Sequence, residues 1–326
     1  MKPAQWTRRE FLHKGAALAA TGPFALRILP ALADAAGPAA RKDVTVKRRR
    51  LGRTNLQVSE VGFGGHHKSQ DRHERIASIE KALDCGINLF DAFEAPPNYL
   101  EISQLGEALH FLGRRREAII AAHLWTLGHF YSMDEIDAVL GLLRTDVIDI
   151  GWLSALHVKL ADEHVETAIK AKQAGKVRFL GITGHQQTQQ IEAMKRGDVF
   201  DVMLLPYGCQ FEKGRERHFP EARKRDMGIV TTKPFGGGSF FGARELPQKE
   251  FKGPNPAAAC LRYILSNPDI CCTMPGMTTA AQVVENVSAS AGGSLTQEER
   301  DLLTKMGAAL RHDALARYPF LREWAG

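Results

Sequence analysis

Side chains that can move a proton, attack a carbonyl or hold a metal fall just beyond short apolar runs in this sequence. Asp91 follows Leu89-Phe90, His123 follows Ile120-Ala121-Ala122, and Ser154 follows Gly151-Trp152-Leu153. Gly64-Gly65-His66-His67 and Thr183-Gly184-His185 end two further runs, and Tyr99 stands in a proline-rich loop with Pro96 and Pro97. A carboxylate within reach of an imidazole favours the imidazolium, which makes Asp91 and His123 a candidate acid–base pair. Asp91 equally suits the cap of the loop that follows it, and His123 a structural imidazole bonded to that cap. Ser154 becomes a nucleophile only with a general base beside it and is otherwise a filler. Tyr99 is either a surface phenol or one that swings inward. His66, His67, Asp91, Glu94, His123, His157 and His185 offer imidazoles and carboxylates of the kind that bind Zn²⁺. No two of them stand at i, i+4 and none forms His-x-His, so no metal ligand is assigned.

The elements that must position these residues alternate in type. Apolar runs predict strands over 60–64, 87–91, 118–122, 147–153, 177–183, 202–206, 229–232 and 270–274. Amphipathic segments predict helices over 72–85, 102–111, 133–144, 163–174, 187–196, 219–225, 256–265 and 279–290. Gly86 marks the end of the first helix as a C-terminal stop. Eight strand–helix units in this order predict a single-domain α/β fold, the (β/α)8 TIM barrel, with chemistry at the C-terminal strand ends. A doubly wound nucleotide fold would want G-x-G-x-x-G after an early strand, and Gly62-Phe63-Gly64-Gly65 does not continue with that spacing. Residues 46–51 and 57–61, around Gly52-Arg53-Thr54-Asn55, read as a hairpin leading into the first strand, and a last helix is expected over 297–311.

The formal charge of the 326-residue chain is +6, but residues 1–33 hold five basic residues and one acidic one. The remainder carries 38 basic against 36 acidic side chains, which leaves no electrostatic case for nucleic acid as a partner. Five cysteines form no C-x-x-C or spaced zinc pattern and read as free, buried small hydrophobes. Thr7-Arg8-Arg9-Glu10-Phe11-Leu12, a broken apolar run over 15–32 and the terminal Ala31-Leu32-Ala33 resemble a twin-arginine signal peptide over residues 1–33. The alternative is a surface amphipathic helix with a chance arginine pair. Residues 34–45 read as a flexible linker and 46–326 as the barrel. The signal implies the twin-arginine export machinery as a partner, a periplasmic or otherwise exported destination, and no stable membrane span after cleavage, the run being short and broken by Pro23 and Pro30. That pathway carries folded proteins, so a cofactor can be loaded beforehand.

Three stretches resemble the aldo-keto reductase superfamily: Arg50-Leu51-Gly52-Arg53-Thr54-Asn55-Leu56, Gly86-Ile87-Asn88-Leu89-Phe90-Asp91-Ala92, and Pro275-Gly276-Met277-Thr278-Thr279. Gly64-Gly65-His66-His67 and Thr183-Gly184-His185 are similar to its exported members. The resemblance implies hydride transfer between NADP or NAD and a carbonyl, with a Tyr as proton donor, a Lys lowering its pKa, an Asp pairing the Lys and a His orienting the carbonyl. Asp91 matches the Asp. The Tyr position, five residues on, is Pro96, with Tyr99 three residues late; the Lys position is His123 and the His position Ser154. Without a fixed cation a phenol keeps its ordinary pKa of about 10 and is a poor donor at neutrality. The resemblance therefore implies an NAD(P)-binding oxidoreductase homologue with altered or lost carbonyl reductase activity. The alternatives are a metal-assisted lyase or hydrolase at the rim and a binding protein without catalysis. Asp91 and His123 are expected to end neighbouring strands, with His123 standing in for the Lys as a cation titrating from about 6.5.

The family's cofactor segment falls on Gly276, Thr278, Thr279, Gln282 and Asn286, where a helix N-terminus can receive phosphate. Lys233 and Pro234, before Phe235-Gly236-Gly237-Gly238, resemble its pyrophosphate region, and Tyr207 takes the place of the aromatic that stacks on nicotinamide. The implied cofactor is NADP or NAD, tightly bound. His66, His67, His185 and Trp125 are assigned to a small-molecule carbonyl or sugar substrate.

Overall fold

The computed structural model describes residues 44–65, 71–93, 100–126, 129–155, 160–211, 214–238, 255–317 and 319–324. The proposed signal, most of the linker, His66, His67, Glu94, Tyr99 and His157 lie outside these residues. Strands β1 (Arg48–Arg50) and β2 (Gln57–Ser59) pair antiparallel as the expected hairpin. Seven parallel strands follow: β3 (Leu89–Ala92), β4 (Ile119–His123), β7 (Ile148–Ser154), β8 (Val177–Thr183), β9 (Val202–Pro206), β10 (Gly228–Thr232) and β11 (Cys272–Met274). They lie in the order β3-β4-β7-β8-β9-β10-β11. The ribbon β5 (Trp125–Thr126) with β6 (His129–Phe130), absent from the sequence expectation, folds back beyond β4.

The helices are α1 (Arg72–Asp84), α2 (Leu100–Leu112), α3 (Met133–Leu143), α4 (Asp162–Gln173), α5 (Gln187–Met194), α6 (Gly214–Lys224), α7 (Pro256–Leu265), α8 (Ala280–Ala291) and α9 (Gln297–Arg317). Their starts follow from side-chain caps. Asp71 accepts from the His73 and Glu74 amides, Ser132 and Glu135 form a capping box, and Asn255 caps α7 ahead of Pro256. Among the described residues no helix is long and apolar enough to cross a membrane.

The expected first strand, 60–64, is not a regular strand. It closes the barrel through single bridges, Val61 to Thr273, Phe63 to Phe90 and Gly64 to Gly276. The Gly62 amide donates to Thr273 O at 2.9 Å and the Phe63 amide to Leu89 O at 2.8 Å. Glycine is the reason for both the closeness and the irregularity: a Cβ at Gly64 would stand 2.7 Å from Pro275 O. Helix α6 begins at Gly214 rather than 219 and α9 extends to Arg317 rather than 311.

Alternate residues on the strands fill the barrel. Leu89, Ala121, Ile150, Trp152, Val202, Leu204, Val230, Cys272 and Met274 form one buried cluster, joined by Leu51 and Val58 of the hairpin, which closes the N-terminal end. Polar groups at that end are paired. Asn88 accepts from the Ser59 amide at 2.7 Å and its own amide donates to Ser59 Oγ at 3.1 Å. Buried Asp149 accepts from the Ile120 amide at 2.9 Å and from Arg178 at 2.7 Å. Glu60 accepts from Arg49 Nε at 2.8 Å and Ser290 Oγ at 2.7 Å. All five cysteines are free, as expected.

Candidate active site

Parity decides which residues meet at the C-terminal end. Leu89 and Ala121 point into the barrel, so Asp91 and His123, two residues on, face its mouth. Asp91 pairs in register with Ala121 on the neighbouring strand. Its carboxylate lies 3.5 Å from His123 Nε2, an ion-pair distance too long for a good hydrogen bond. The firmer contact is one the sequence reading missed: Trp152 Nε1–H donates to Asp91 Oδ1 at 3.2 Å. Trp152 is fully buried in the barrel and stands against Gly181, where any Cβ would fall 2.1 Å from its ring. Ile150 and Trp152 alternate inward with Ser154, and that alternation was the available signal.

His123 is held edge-on by aromatics. The Phe93 ring lies 4.6 Å from it and the Trp125 ring 5.8 Å, both tilted strongly to its plane. Both His123 ring nitrogens, Trp125 Nε1 and Ser154 Oγ are buried without a hydrogen-bond partner among the described residues. They belong to the mouth ends of β4, β5 and β7. An unpartnered buried polar atom costs about 1–3 kcal/mol, so this cluster suits a polar ligand group that completes it.

Lys233 stands immediately after β10. Burial pushes its ammonium down to about 8, and the Asp91 carboxylate opposes that fall. Its backbone is left-handed, φ 55°, a conformation that costs a non-glycine residue about 1 kcal/mol. Fully buried Gln210 donates through Nε2 to Lys233 O at 3.3 Å and Pro234 O at 3.2 Å. Gln210 was also missed, since nothing in its spacing marks it.

The segment after β11 carries the remaining assignments. Thr279 caps α8, and Gln282 Oε1 accepts from the Thr278 amide at 2.7 Å and the Thr279 amide at 3.3 Å. Gly276 is exposed and bridged to Gly64, and Asn286 is buried on α8. Tyr207 immediately follows β9. Val202 and Leu204 point inward, so Tyr207 points outward. Its ring packs on Phe219 and Tyr263, and Asn267 Nδ2 donates to its hydroxyl at 3.4 Å. His185 lies at the rim, its carbonyl accepting from Trp324 Nε1 at 2.6 Å. Among the described residues no group of three or more His, Cys, Asp or Glu side chains is placed to hold a metal ion.

The model of the aldo/keto reductase family matches residues 60–256. The chain belongs to the aldo/keto reductase family. Among curated relatives of this chain, the uncharacterized oxidoreductase YqkF of Bacillus subtilis is 22% identical over 78% of this chain and 94% of its own. L-Galactose dehydrogenase of Arabidopsis thaliana is 28% identical over 75% and 88%. In fold, the holo form of aldo-keto reductase AKR11C1 from Bacillus halodurans aligns with a TM-score of 0.68 at 24% identity, covering 80% of this chain and 96% of that one. An aldo/keto reductase from Klebsiella pneumoniae in complex with NADP and acetate aligns with a TM-score of 0.66 at 20% identity, over 80% and 95%. The parallel barrel of this chain is thus the family's fold, and its family and oxidoreductase relatives support an aldo-keto-reductase-like oxidoreductase.

Proposed function

We propose that this reductase is an exported, NAD(P)-binding oxidoreductase acting on a small carbonyl compound or sugar, with an acid–base arrangement different from that of its relatives. The observation that carries the reading is the mouth itself. Asp91 keeps its place and is fixed by Trp152, whereas the ends of the next two strands are His123 and Ser154, both with buried atoms that lack a partner among the described residues. Such atoms fit the oxygen of a carbonyl or hydroxyl. Bound nicotinamide would supply or accept hydride there. This chain's residues would hold the substrate oxygen at His123, Trp125 and Ser154 and keep a negative charge at Asp91.

The nucleotide's phosphate fits the N-terminus of α8, where Thr278, Thr279 and the helix dipole favour an anion. There Gln282 acts as a placeholder, since its exposed carboxamide already accepts from two of the amides a phosphate would use. Relatives solved with NADP and NADPH support a nicotinamide cofactor, and the relative named for L-galactose supports a sugar-like substrate. Tight binding follows from the export reading of residues 1–33, because a folded chain carries its cofactor with it. Native mass spectrometry of the purified chain is expected to show a co-purified nucleotide, with a fluorescence change on NADPH titration of the stripped protein. Neither signal appearing would refute the nucleotide reading. Replacing Arg8 and Arg9 by lysine is expected to retain a tagged chain in the cytoplasm, and unchanged fractionation would refute export.

A further inference from the structure

We infer that Cys209 and Cys260 form a redox-active dithiol, which closes to a disulfide and staples the turn after β9 to helix α7. Their sulfurs stand 4.0 Å apart, and both residues are buried in one apolar cluster with Ala257, Ala259, Leu303 and Met306. A disulfide needs a separation of about 2.05 Å, so closure asks each sulfur to move about 1 Å toward the other. The Cys209 end can supply that movement. Cys209 and Gln210 form the tip of a tight turn between the bridged residues Gly208 and Phe211, outside any strand or helix, whereas Cys260 lies within α7. The two cysteines adjacent in sequence are arranged otherwise. Cys271 Sγ turns to Asp269 O at 4.0 Å and Cys272 Sγ to Thr273 O at 3.6 Å, each toward a backbone carbonyl.

The two thiols of the pair differ in role. Gln210 Nε2 donates to Lys233 O and Pro234 O, which leaves its Oε1 as the acceptor facing Cys209 Sγ at 3.4 Å. Cys209 therefore gives its S–H to Gln210 and receives the S–H of Cys260. That hydrogen bond, together with burial, pushes the Cys260 thiol well above its ordinary range, so Cys209 is the sulfur that ionises first. Cys209 also keeps 9% of its surface exposed, against 1% for Cys260. The co-reactant is a disulfide, R–S–S–R, of a small molecule or of a protein. The Cys209 thiolate, its proton lost to water, attacks one sulfur of R–S–S–R. That bond breaks, and the first R–S⁻ leaves and takes up a proton. Cys260 Sγ then attacks Cys209 Sγ in the mixed disulfide, and the second R–S⁻ leaves with the proton that Cys260 gives up. The pair loses two electrons and the co-reactant gains them. The export proposed for residues 1–33 would carry the chain to a compartment where such oxidants act.

The test uses the full-length chain, reduced, freed of reductant and incubated with glutathione disulfide or with the smaller 2-hydroxyethyl disulfide. Remaining thiols are alkylated in denaturant, and the digest is mapped by mass spectrometry. A peptide joining Cys209 to Cys260 is expected, with the other three of the five cysteines alkylated. Five alkylated thiols with both oxidants, or a bond between any other two cysteines, would overturn the inference. Cys260→Ala should trap the mixed disulfide on Cys209, and Cys209→Ala should leave Cys260 unmodified. A mixed disulfide on Cys260 instead would overturn the order of attack. The oxidised wild-type chain should unfold about 4–10 °C above the reduced one, because the bond closes a loop between positions 51 apart in the unfolded state. Dithiothreitol should reverse the gain, and Cys260→Ala should show none. An unchanged or lower midpoint in the oxidised wild type would overturn the staple.

Discussion

The two ends of the barrel treat polar groups in opposite ways. At the N-terminal end Asp149 serves the Ile120 amide and Arg178, Glu60 serves Arg49 and Ser290, and Asn88 exchanges bonds with Ser59. At the mouth His123, Trp125 and Ser154 keep buried atoms without partners among the described residues, and Lys233 sits in a strained backbone with a depressed ammonium. The first end spends its polar groups on stability and the second holds them ready for a ligand, the division expected of a parallel barrel. Substitutions should therefore move stability in opposite directions at the two ends.

Asp149→Ala should have the largest effect, a loss of about 2–4 kcal/mol in urea unfolding, because it strands a buried amide and a paired arginine. Lys233→Met should do the reverse. Burial holds the folded-state ammonium near 8 against an ordinary 10.5. The charged form therefore weakens the fold fully below pH 8, and the handicap fades as the pH rises to 10.5. Lys233→Met should add about 1–3 kcal/mol at pH 7 and little above pH 10.5, which thermal unfolding across that range would check. Ser154→Ala should be neutral or stabilising by up to about 1 kcal/mol, since the lost hydroxyl has no partner among the described residues. A loss of comparable size would erase the contrast between the ends. Gln282→Ala should cost about 0.5 kcal/mol of cap while tightening NADPH binding, by freeing the Thr278 and Thr279 amides. Weaker NADPH binding would mean that Gln282 is a ligand rather than a placeholder.

Much of the fold was legible because its signals are local. Strands β8 and β9 and helix α7 lie where alternation and caps put them, and Asp91 ends its strand as its motif implies. What stayed hidden depends on contacts between distant segments. Trp152 reads as one more apolar core residue until Gly181 opens the space that aims its N–H at Asp91. The turn at Lys233 is invisible because lysine has no preference for a left-handed backbone, and the cause lies in Gln210, 23 positions earlier. At Tyr207 the inward alternation of Val202 and Leu204 turns the ring toward the helices, where it packs on Phe219 and Tyr263. The apolar residues of segment 60–64 predict a strand, while its glycines reduce it to single bridges.

Those bridges leave the barrel with a seam. Every other junction between staves is a ladder of paired residues, whereas 61–64 is stitched to β11 and to β3 at isolated points. Local opening begins where backbone bonds are fewest, so the amides of Gly62, Phe63 and Gly64 should exchange with solvent faster than those of β8 or β9. One edge of the seam is Gly276, in the segment proposed to seat the nucleotide. A molecule resting there would slow exchange three residues into the opposite edge, and the barrel's weakest joint would report whether its mouth is filled.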